Sequence, residues 1–581
     1  MRNRREYMRE YKRAYRMKKK GLPAGDYYVA FACLSQEEAD KRNRGAITSW
    51  GLAGQLCKPL AGDCLDELML LLSDIDGRLF VPGLKIWGRF IVAWLNNNGF
   101  IAYADLPKNC KGYSIKVDSY GSWVRIDLRL NRKILAITDF IAVFNSPLEK
   151  VFKTFLGQDF EPTGANNEVV TALKMRLAHS VFEKELSEIV GDKLSSTTIS
   201  GYALQALHAI YAPGCRGYGA KFWRQDFPEL PREIMDEIRG AHVYRSGLNI
   251  ISTTAKKYTG AGFVYDVRSL YPYIYTSQAL PYGWIWVYNY EDFRARNALR
   301  WHEVEANFYK IYEISELWAK LKPDGVPTVQ IINLSGTQYL KEINFNGECS
   351  FMLDDNDLEA LFENYDVDFV GLNRVFVTRK KICPQLKEYG EKFYKIKESQ
   401  KDTARGVCAK YLCNAITGRY GLNSYKVDTT IEDGIYKRST PQFCGEKGYL
   451  PVAMFINSFG RLYISREIRK AGAHYLYGDT DSVITDKKIE AFEVGVNMGQ
   501  FKMQEFSECK FLGQKCYGLK MADGWQWVVS GASPEMLKDL KSSDFEAGRT
   551  LRGGIMPKMY PDGTLAFKER EFTIATKGMI F

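Results

Sequence analysis

The stretch that most constrains this chain is Tyr477-Gly478-Asp479-Thr480-Asp481-Ser482. Apolar residues precede it in Ala473-His474-Tyr475-Leu476 and follow it in Val483-Ile484, so the pattern predicts a tight β-hairpin between two interior strands. The two aspartates are one residue apart in the turn. One can therefore point into a shared site while the other supports the turn. Carboxylates between buried strands are costly unless something neutralises them. A solvated, Asp-rich turn is the alternative that this stretch alone leaves open.

Two further stretches narrow the choice. Asp266-Val267-Arg268-Ser269-Leu270-Tyr271-Pro272 follows the apolar Gly262-Phe263-Val264-Tyr265, which predicts a strand ending at Asp266, a turn and a helix. In Lys410-Tyr411-Leu412-Cys413-Asn414, Lys410 and Asn414 are four apart and share a helix face. In this order and wording the three stretches resemble motifs A, B and C of the family B DNA polymerases. The wording from about residue 77 onward is similar to the protein-primed branch, the compact polymerases of phages and linear plasmids. That resemblance implies an α/β (α+β multidomain) chain. A ribonuclease-H-like, exonuclease-type domain would precede a right hand of palm, fingers and thumb. It also implies template and primer DNA, deoxynucleoside triphosphates and a terminal protein as partners, for a monomer in the host-cell cytoplasm with no membrane association.

Size and composition agree with several soluble domains. A chain of 581 residues is too long for one core. It has no apolar run of the length that a membrane span needs, and Asp26 and the charged 36–41 stretch flank the short apolar run at 27–34, against a signal peptide. The 12 cysteines form no CxxC pair, which fits thiols of a reducing compartment and gives a zinc site no support. Net charge is +11, and residues 1–20 hold ten Arg/Lys against two Glu. The body is therefore nearly balanced, and any nucleic-acid track in it must be local. Tyr7, Tyr11 and Tyr15 lie at helical spacing in this tail, which reads either as a contact to DNA phosphates or an acidic partner, or as a solvated tail.

The chain divides as follows. Residues 1–24 are the basic tail and 25–190 the exonuclease-like domain, with a strand at Leu79–Val81, a helix at Arg89–Asn96, strands at Ser122–Leu130 and Ile134–Val143 around Asn131-Arg132, and a helix at Asn167–Glu188. Residues 191–260 are a helical linker and the start of the palm, and 261–327 the palm with motif A. A first insertion at 328–378 and a second at 424–446, with a turn signal at Asp433-Gly434, flank the fingers at 379–423. The palm resumes at 447–518 and the thumb fills 519–581. In the family the first insertion helps hold terminal protein and DNA. The second helps encircle DNA and supports strand displacement.

The resemblance also implies roles for single residues. Asp266 and Asp481 would bridge two Mg2+ ions, with Mn2+ able to replace them, the Val267 carbonyl as a further ligand, and Asp479 as a supporting acid. Lys410 and Lys397 would meet the triphosphate; Lys397 requires a one-residue shift, and a solvated lysine is its alternative. Tyr271, next to Leu270, would stack under the sugar and exclude a 2′-hydroxyl, unless it is a core tyrosine. Asn414 would touch the nascent base pair. The family's tyrosine three residues later is Thr417 here, and Tyr420 could restore a ring by a local shift. Lys515 and Tyr517 resemble the Lys-x-Tyr that holds the primer end. Asn457 and Arg461 resemble a template-binding stretch. Arg239-Gly240 resembles the interdomain linker, with Ile238 and Ala241 in place of its aromatic and second glycine.

The N-terminal part departs most. The family's exonuclease uses four carboxylates on two metals. At the matching places stand Ala30, Ala32, Trp87 and Arg176, with Ala172 in place of the third motif's tyrosine. No proofreading is therefore expected, although a shifted register could bring in Asp26 or Asp74. The expected activity is template-directed DNA synthesis, started from a terminal protein in phage-type replication. A primer-independent or repair polymerase is the alternative within enzymes. A non-catalytic replisome subunit is the alternative outside them, and the complete set of three aspartates speaks against it.

Overall fold

The computed structural model describes residues 25–574 except 34–46, 55–58, 73–75, 104–105, 118–122, 132, 145, 160–166, 242, 334–335, 348, 427, 433–434, 439–441, 444, 446 and 560–564. The basic tail, Arg132, Asp74 and the turn at Asp433-Gly434 lie outside the described residues.

Gly25–Cys33 (β1) pairs antiparallel with Ile47–Gly54 (β2) and parallel with Gly77–Val81 (β3). Leu84–Asn97 (α1) follows β3. Cys110–Val117 (β4), Trp123–Asn131 (β5) and Lys133–Asp139 (β6) complete the sheet, with β6 parallel to β3. The strand expected to run to Val143 stops at Asp139. The Asp139 carboxylate accepts from the backbone N–H of Gly83, Leu84 and Ile141, which turns the chain into a short helix at Phe140–Phe144. Asn167–Val190 (α2) lies across β1 and β2. It approaches so closely that a Cβ at Gly51 would sit 2.2 Å from the Val169 nitrogen.

Ile199–Tyr211 (α3), Arg216–Asp226 (α4) and Arg232–Gly240 (α5) make the helical connection. The palm sheet then begins with Asn249–Ile251 (β7) and Gly262–Val267 (β8), and Leu270–Ser277 (α6) follows β8. Leu280–Asn289 (β9), Phe308–Leu321 (β10), Gln330–Asn333 (β11), Gly336–Tyr339 (β12), Met352–Asp354 (β13), Asp355–Asn364 (α7) and Tyr365–Lys381 (β14) come next. The long β10–β14 ribbon starts at Phe308 opposite Arg379, so it begins ahead of residue 328 and ends beyond residue 378. Nor are residues 328–378 a detachable module, because α7 packs on a palm helix, is capped by the buried Asp354 and carries the buried Asp357.

Pro384–Ser399 (α8) and Ala404–Tyr420 (α9) are an antiparallel helix pair. Asp428–Glu432 (β15) and Ile435–Arg438 (β16) form a hairpin. β15 adds to β4 of the N-terminal sheet, Thr429 opposite Ile115, so that sheet reads β16–β15–β4–β5–β6–β3–β1–β2 along its main path and ends with the short strand Leu60–Gly62 beside β2. Leu450–Ala471 (α10) is buried along most of its length. Tyr475–Asp479 (β17), Ser482–Thr485 (β18) and Phe501–Phe506 (β19) complete a palm sheet in the order β19–β8–β18–β17–β7. Glu508–Gly513 (β20), Cys516–Met521 (β21) and Gly524–Val529 (β22) make a small sheet, and Thr550–Met559 (β23) with Leu565–Thr573 (β24) a final hairpin against α1.

Candidate active site

Alternation places Leu476 and Ile484 of the hairpin in one core and Tyr475 and Val483 in another, which fixes the register of β17 on β18 and leaves the aspartates at the turn. Thr480 takes a left-handed φ of 57° and donates its N–H to Leu248 O at 2.7 Å. Gly247 lets Thr480 approach closely, since a Cβ there would meet the Thr480 side chain at 2.7 Å and force it to shift. On the neighbouring strand Asp266 pairs with Ser482, and Val267 N–H donates to Asp481 O at 2.8 Å. Asp266 and Asp481 therefore meet at the floor of one cleft of about 1260 Å³, which Val267 also lines.

The electrostatics of this pair are those of a site that wants a cation. Burial, then the charges of Asp266 and Asp479, push Asp481 up to about 7. Burial also raises Asp266, against the opposing charges of Lys502, Lys397 and Arg268. Two carboxylates that repel each other in a half-dry cleft, both hard oxygen donors, fit Mg2+, which is typically held by one or two carboxylates plus substrate phosphates. Asp479 is placed differently. Asn249 Nδ2 donates to its Oδ1 at 3.2 Å, Thr480 Oγ1 donates to the same oxygen at 3.1 Å, and Lys515 Nζ lies 3.2 Å from it. These three contacts tie the Asp479 carboxylate into the hairpin and its neighbours.

The helix-pair side of the cleft carries lysines interleaved with Glu398 and Asp402, and Lys397 Nζ lies 3.3 Å from a Glu398 carboxylate oxygen. Ser269, the left-handed residue ahead of α6, accepts from Lys397 Nζ at 2.7 Å. Lys397, Lys401, Lys410, Tyr411, Asn414 and Gly418 all line the cleft. Lys397 is thus brought to the motif A turn and is not a solvated lysine of a basic helix. Leu270 and Tyr271 line the same cleft, with the Leu270 side chain in the core below. Burial, then the charge of Asp481, push the Tyr271 phenol up to about 12.

Four expected contacts change. Thr417 is buried where α9 packs on its neighbours, so it presents nothing to the cleft. Tyr420 does not replace the missing ring. It is buried on the far side of α9, against Phe227, and its hydroxyl accepts from Trp223 Nε1 at 3.1 Å. Arg461 is not a DNA contact either. It is only 1% exposed, its Nε and Nη2 donate to Asp357 at 3.0 and 2.7 Å, and its Nη1 donates to Arg245 O and Ser246 O. Asn457 is buried and donates to Arg245 O at 3.1 Å. These two residues hold the 245–248 loop behind the acid hairpin.

Lys515 reaches the hairpin from the thumb side, with its N–H donating to Tyr477 OH at 3.0 Å. The Tyr517 ring packs 4.9 Å from that of Tyr477. Arg239 lies away from the cleft and donates to Ser424 Oγ at 3.2 Å, while the space around the α carbon of Gly240 is open. Sequence reasoning missed Lys502, which stands opposite Asp266 across β8 and β19 and lines the cleft. It also missed Asn249. Neither has a local signal, since each meets the site only through strand register.

In the N-terminal sheet Ala30 and Ala172 pack together with Ala53. Ala32 stands opposite Ser49, and Trp87 packs 5.1 Å from Phe31. Arg176 Nη1 donates to Gly54 O at 2.7 Å. Asp26, a carboxylate that a shifted register could have used, is held by the Arg78 guanidinium, with one hydrogen bond of 2.7 Å and a second, shorter one.

Comparison with known proteins decides the family. The sequence model for "DNA polymerase type B, organellar and viral" matches residues 168–490, more than half of the chain, with all three motifs inside it. The chain belongs to that family. The DNA polymerase of Bacillus phage phi29 is 26% identical over 532 residues, covering 84% of this chain and 86% of the relative. That of Streptococcus phage Cp-1 is 22% identical over 538 residues, covering 87% and 89%. Phi29 DNA polymerase with primer-template DNA and incoming nucleotide has the same fold, with a TM-score of 0.79, 22% identity and coverage of 95% and 100%. This polymerase is thus a template-directed family B enzyme of the phage type, with an exonuclease-type domain ahead of a right hand. Its family works with divalent metal ions. Among its described residues no helix is long and apolar enough to cross a membrane.

Proposed function

We propose that this polymerase starts synthesis on a hydroxyl of a terminal protein, displaces the strand ahead of it and does not proofread, replicating a linear phage-type genome as a monomer in the host cytoplasm. The observation that carries its chemistry is the pair Asp266 and Asp481, which line one cleft together with Lys397 and Lys410. In this reading the pair holds two Mg2+ ions, with the Val267 carbonyl beside them and Mn2+ able to serve instead. When bound, such ions supply an acidified primer hydroxyl and a neutralised triphosphate. Lys397 and Lys410 orient the triphosphate, and the Tyr271 ring closes the space a ribose 2′-hydroxyl would need. Asn414 faces the nascent pair, and Lys515, backed by Tyr517, steadies the primer end. Arg239 and Gly240 guide DNA between the domains.

Protein priming is supported by the likeness to phage polymerases and by the β10–β14 ribbon, where Trp318 and Phe369 stand opposite each other, 52% and 49% exposed. Deleting residues 328–378 would be a poor test, because Asp357 and Tyr339 go with them. The sharper test is Trp318→Ala with Phe369→Ala, which should lower labelled-nucleotide attachment to the partner protein while DNA-primed extension persists. Equal losses in both assays would remove the priming role of this ribbon. Absence of proofreading is supported by the apolar contact of Ala30 with Ala172 and by the cation of Arg176 nearby. The test is a labelled primer with a 3′ mismatch in Mg2+ or Mn2+ without nucleotides. It should stay full length.

A further inference from the structure

The acid hairpin is the outer turn of β17 and β18, and β7 closes the palm sheet beside it as an edge strand. Asn249 on β7 stands opposite Asp479. Its side chain does two jobs: Nδ2 donates to Asp479 Oδ1 at 3.2 Å, and Oδ1 accepts from Tyr477 OH at 2.9 Å. That pair of partners settles which way the amide points, because the flipped amide would set its oxygen against the carboxylate. The Tyr477 hydroxyl also accepts from the Lys515 N–H, so the thumb-side loop and the hairpin meet at Asn249.

The backbone of Asn249 is held from the other direction. Its N–H points outward from the sheet edge and donates to Tyr339 OH at 2.7 Å. Tyr339 ends β12, inside the first insertion, and is 1% exposed. Gln330 on β11, itself buried, donates to the same oxygen at 3.3 Å. A half-buried edge N–H gains from an acceptor, so the Tyr339 hydroxyl adds to the ladder with β17 in holding β7 in register beside Asp479.

We propose that Asn249 and Tyr339 are positioning residues for the acid hairpin, which makes the first insertion a working part of the catalytic centre and not only a docking module. This rests on the metal-holding reading of Asp266 and Asp481. Tyr339 aligns β7, β7 presents the Asn249 amide, and the amide fixes Asp479, whose backbone carbonyl accepts the N–H of Asp481. Partners one step removed from a metal site commonly change metal affinity or rate by about 10–100-fold when lost.

The test measures Mn2+ binding to the DNA-free full-length protein by electron paramagnetic resonance. In parallel it measures single-turnover primer extension at saturating DNA and nucleotide, with thermal unfolding followed on the same samples. Asn249→Ala should weaken Mn2+ binding and slow extension by about tenfold each, with apparent affinities for DNA and nucleotide unchanged. Tyr339→Phe, which removes the hydroxyl that Asn249 N–H and Gln330 both donate to, should do the same by about threefold, and should add little on top of Asn249→Ala. Wild-type Mn2+ isotherms in both variants would overturn the proposal. So would a Tyr339→Phe protein that loses rate and thermal stability together while its Mn2+ isotherm stays unchanged. Asp481→Ala is run alongside: if it retains wild-type Mn2+ binding, the metal-holding reading itself has failed, which is a different result.

Discussion

The palm sheet and the N-terminal sheet solve opposite problems with similar materials. In the palm, Asp266 and Asp481 line one cleft from adjoining strand ends, Asp266 exposed and Asp481 half-buried, and Asp481 is pushed up to about 7. In the N-terminal sheet, small apolar residues fill the facing positions of β1, β2 and α2, and Arg176 donates to a backbone carbonyl. Its nearby carboxylate, Asp26, is neutralised by Arg78. A cluster of like negative charges persists where a cation will visit, and elsewhere a carboxylate is replaced, paired or held by backbone N–H groups. The difference teaches that burial of a carboxylate is by itself no sign of a working site. What distinguishes Asp481 is that its main neighbours are other acids.

The strongest way to break the comparison is to neutralise the palm. Asp266→Ala or Asp481→Ala should each remove several kcal/mol of transition-state stabilisation, where about 1.4 kcal/mol is tenfold in rate, and leave DNA binding largely intact. An Asp481→Ala enzyme that extends a primer near the wild-type rate would end the distinction between the sheets. A second break would come from the other sheet, if a 3′-mismatched primer shortened in Mg2+ or Mn2+ in the Asp481→Ala background, free of host nucleases. The expected outcome is no shortening.

Smaller effects sharpen the contrast. Tyr271→Val should raise incorporation of ribonucleotides relative to deoxynucleotides by about tenfold, read in single-nucleotide kinetics. Unchanged sugar selectivity would move the gate to another residue. The smallest effect is on stability. The folded-state value of Asp481 lies above its unfolded value, so between about 4 and 7 the native state holds a proton that the unfolded state has lost. In chelator, stability should therefore fall as pH rises through that window. Asp481→Asn should flatten the slope, and Mg2+ above pH 7 should offset the loss in the wild type. Thermal unfolding across pH measures all three. An equally steep slope in Asp481→Asn would assign it elsewhere.

Much of the site was legible because its signals are local. The hairpin, the strand ending at Asp266 and the shared face of Lys410 and Asn414 each need only a few neighbouring residues. Lys502, Asn249 and Tyr339 were not legible, because strand register and an insertion bring them to the acids from far along the chain. Arg461 was misread for a related reason. An arginine in a motif-like stretch reads as surface until its partner is known, and the partner is Asp357, 104 residues away. Thr417 shows the limit of a helical pattern: it spaces residues correctly but does not reveal that the C-terminal half of α9 packs against α10. The strand expected through Val143 failed on one side chain, since Asp139 takes up the backbone N–H groups that turn the chain.

The strand that β15 lends to β4 has a consequence during synthesis on the ribosome. Ile115 and Lys116 of β4 wait for Asp428 and Thr429 to complete their pairing. At the usual ribosomal pace of about 5–20 residues per second, that wait is roughly 15 to 60 s. An N-terminal sheet that is otherwise formed shows a short length of open strand edge over this time, the kind of surface on which nascent chains stick to each other. Its last partner arrives only after palm motif A and most of the fingers have been made. The N-terminal sheet therefore matures together with the segment that follows the fingers, and a truncated product ending before residue 428 should aggregate where the full chain does not.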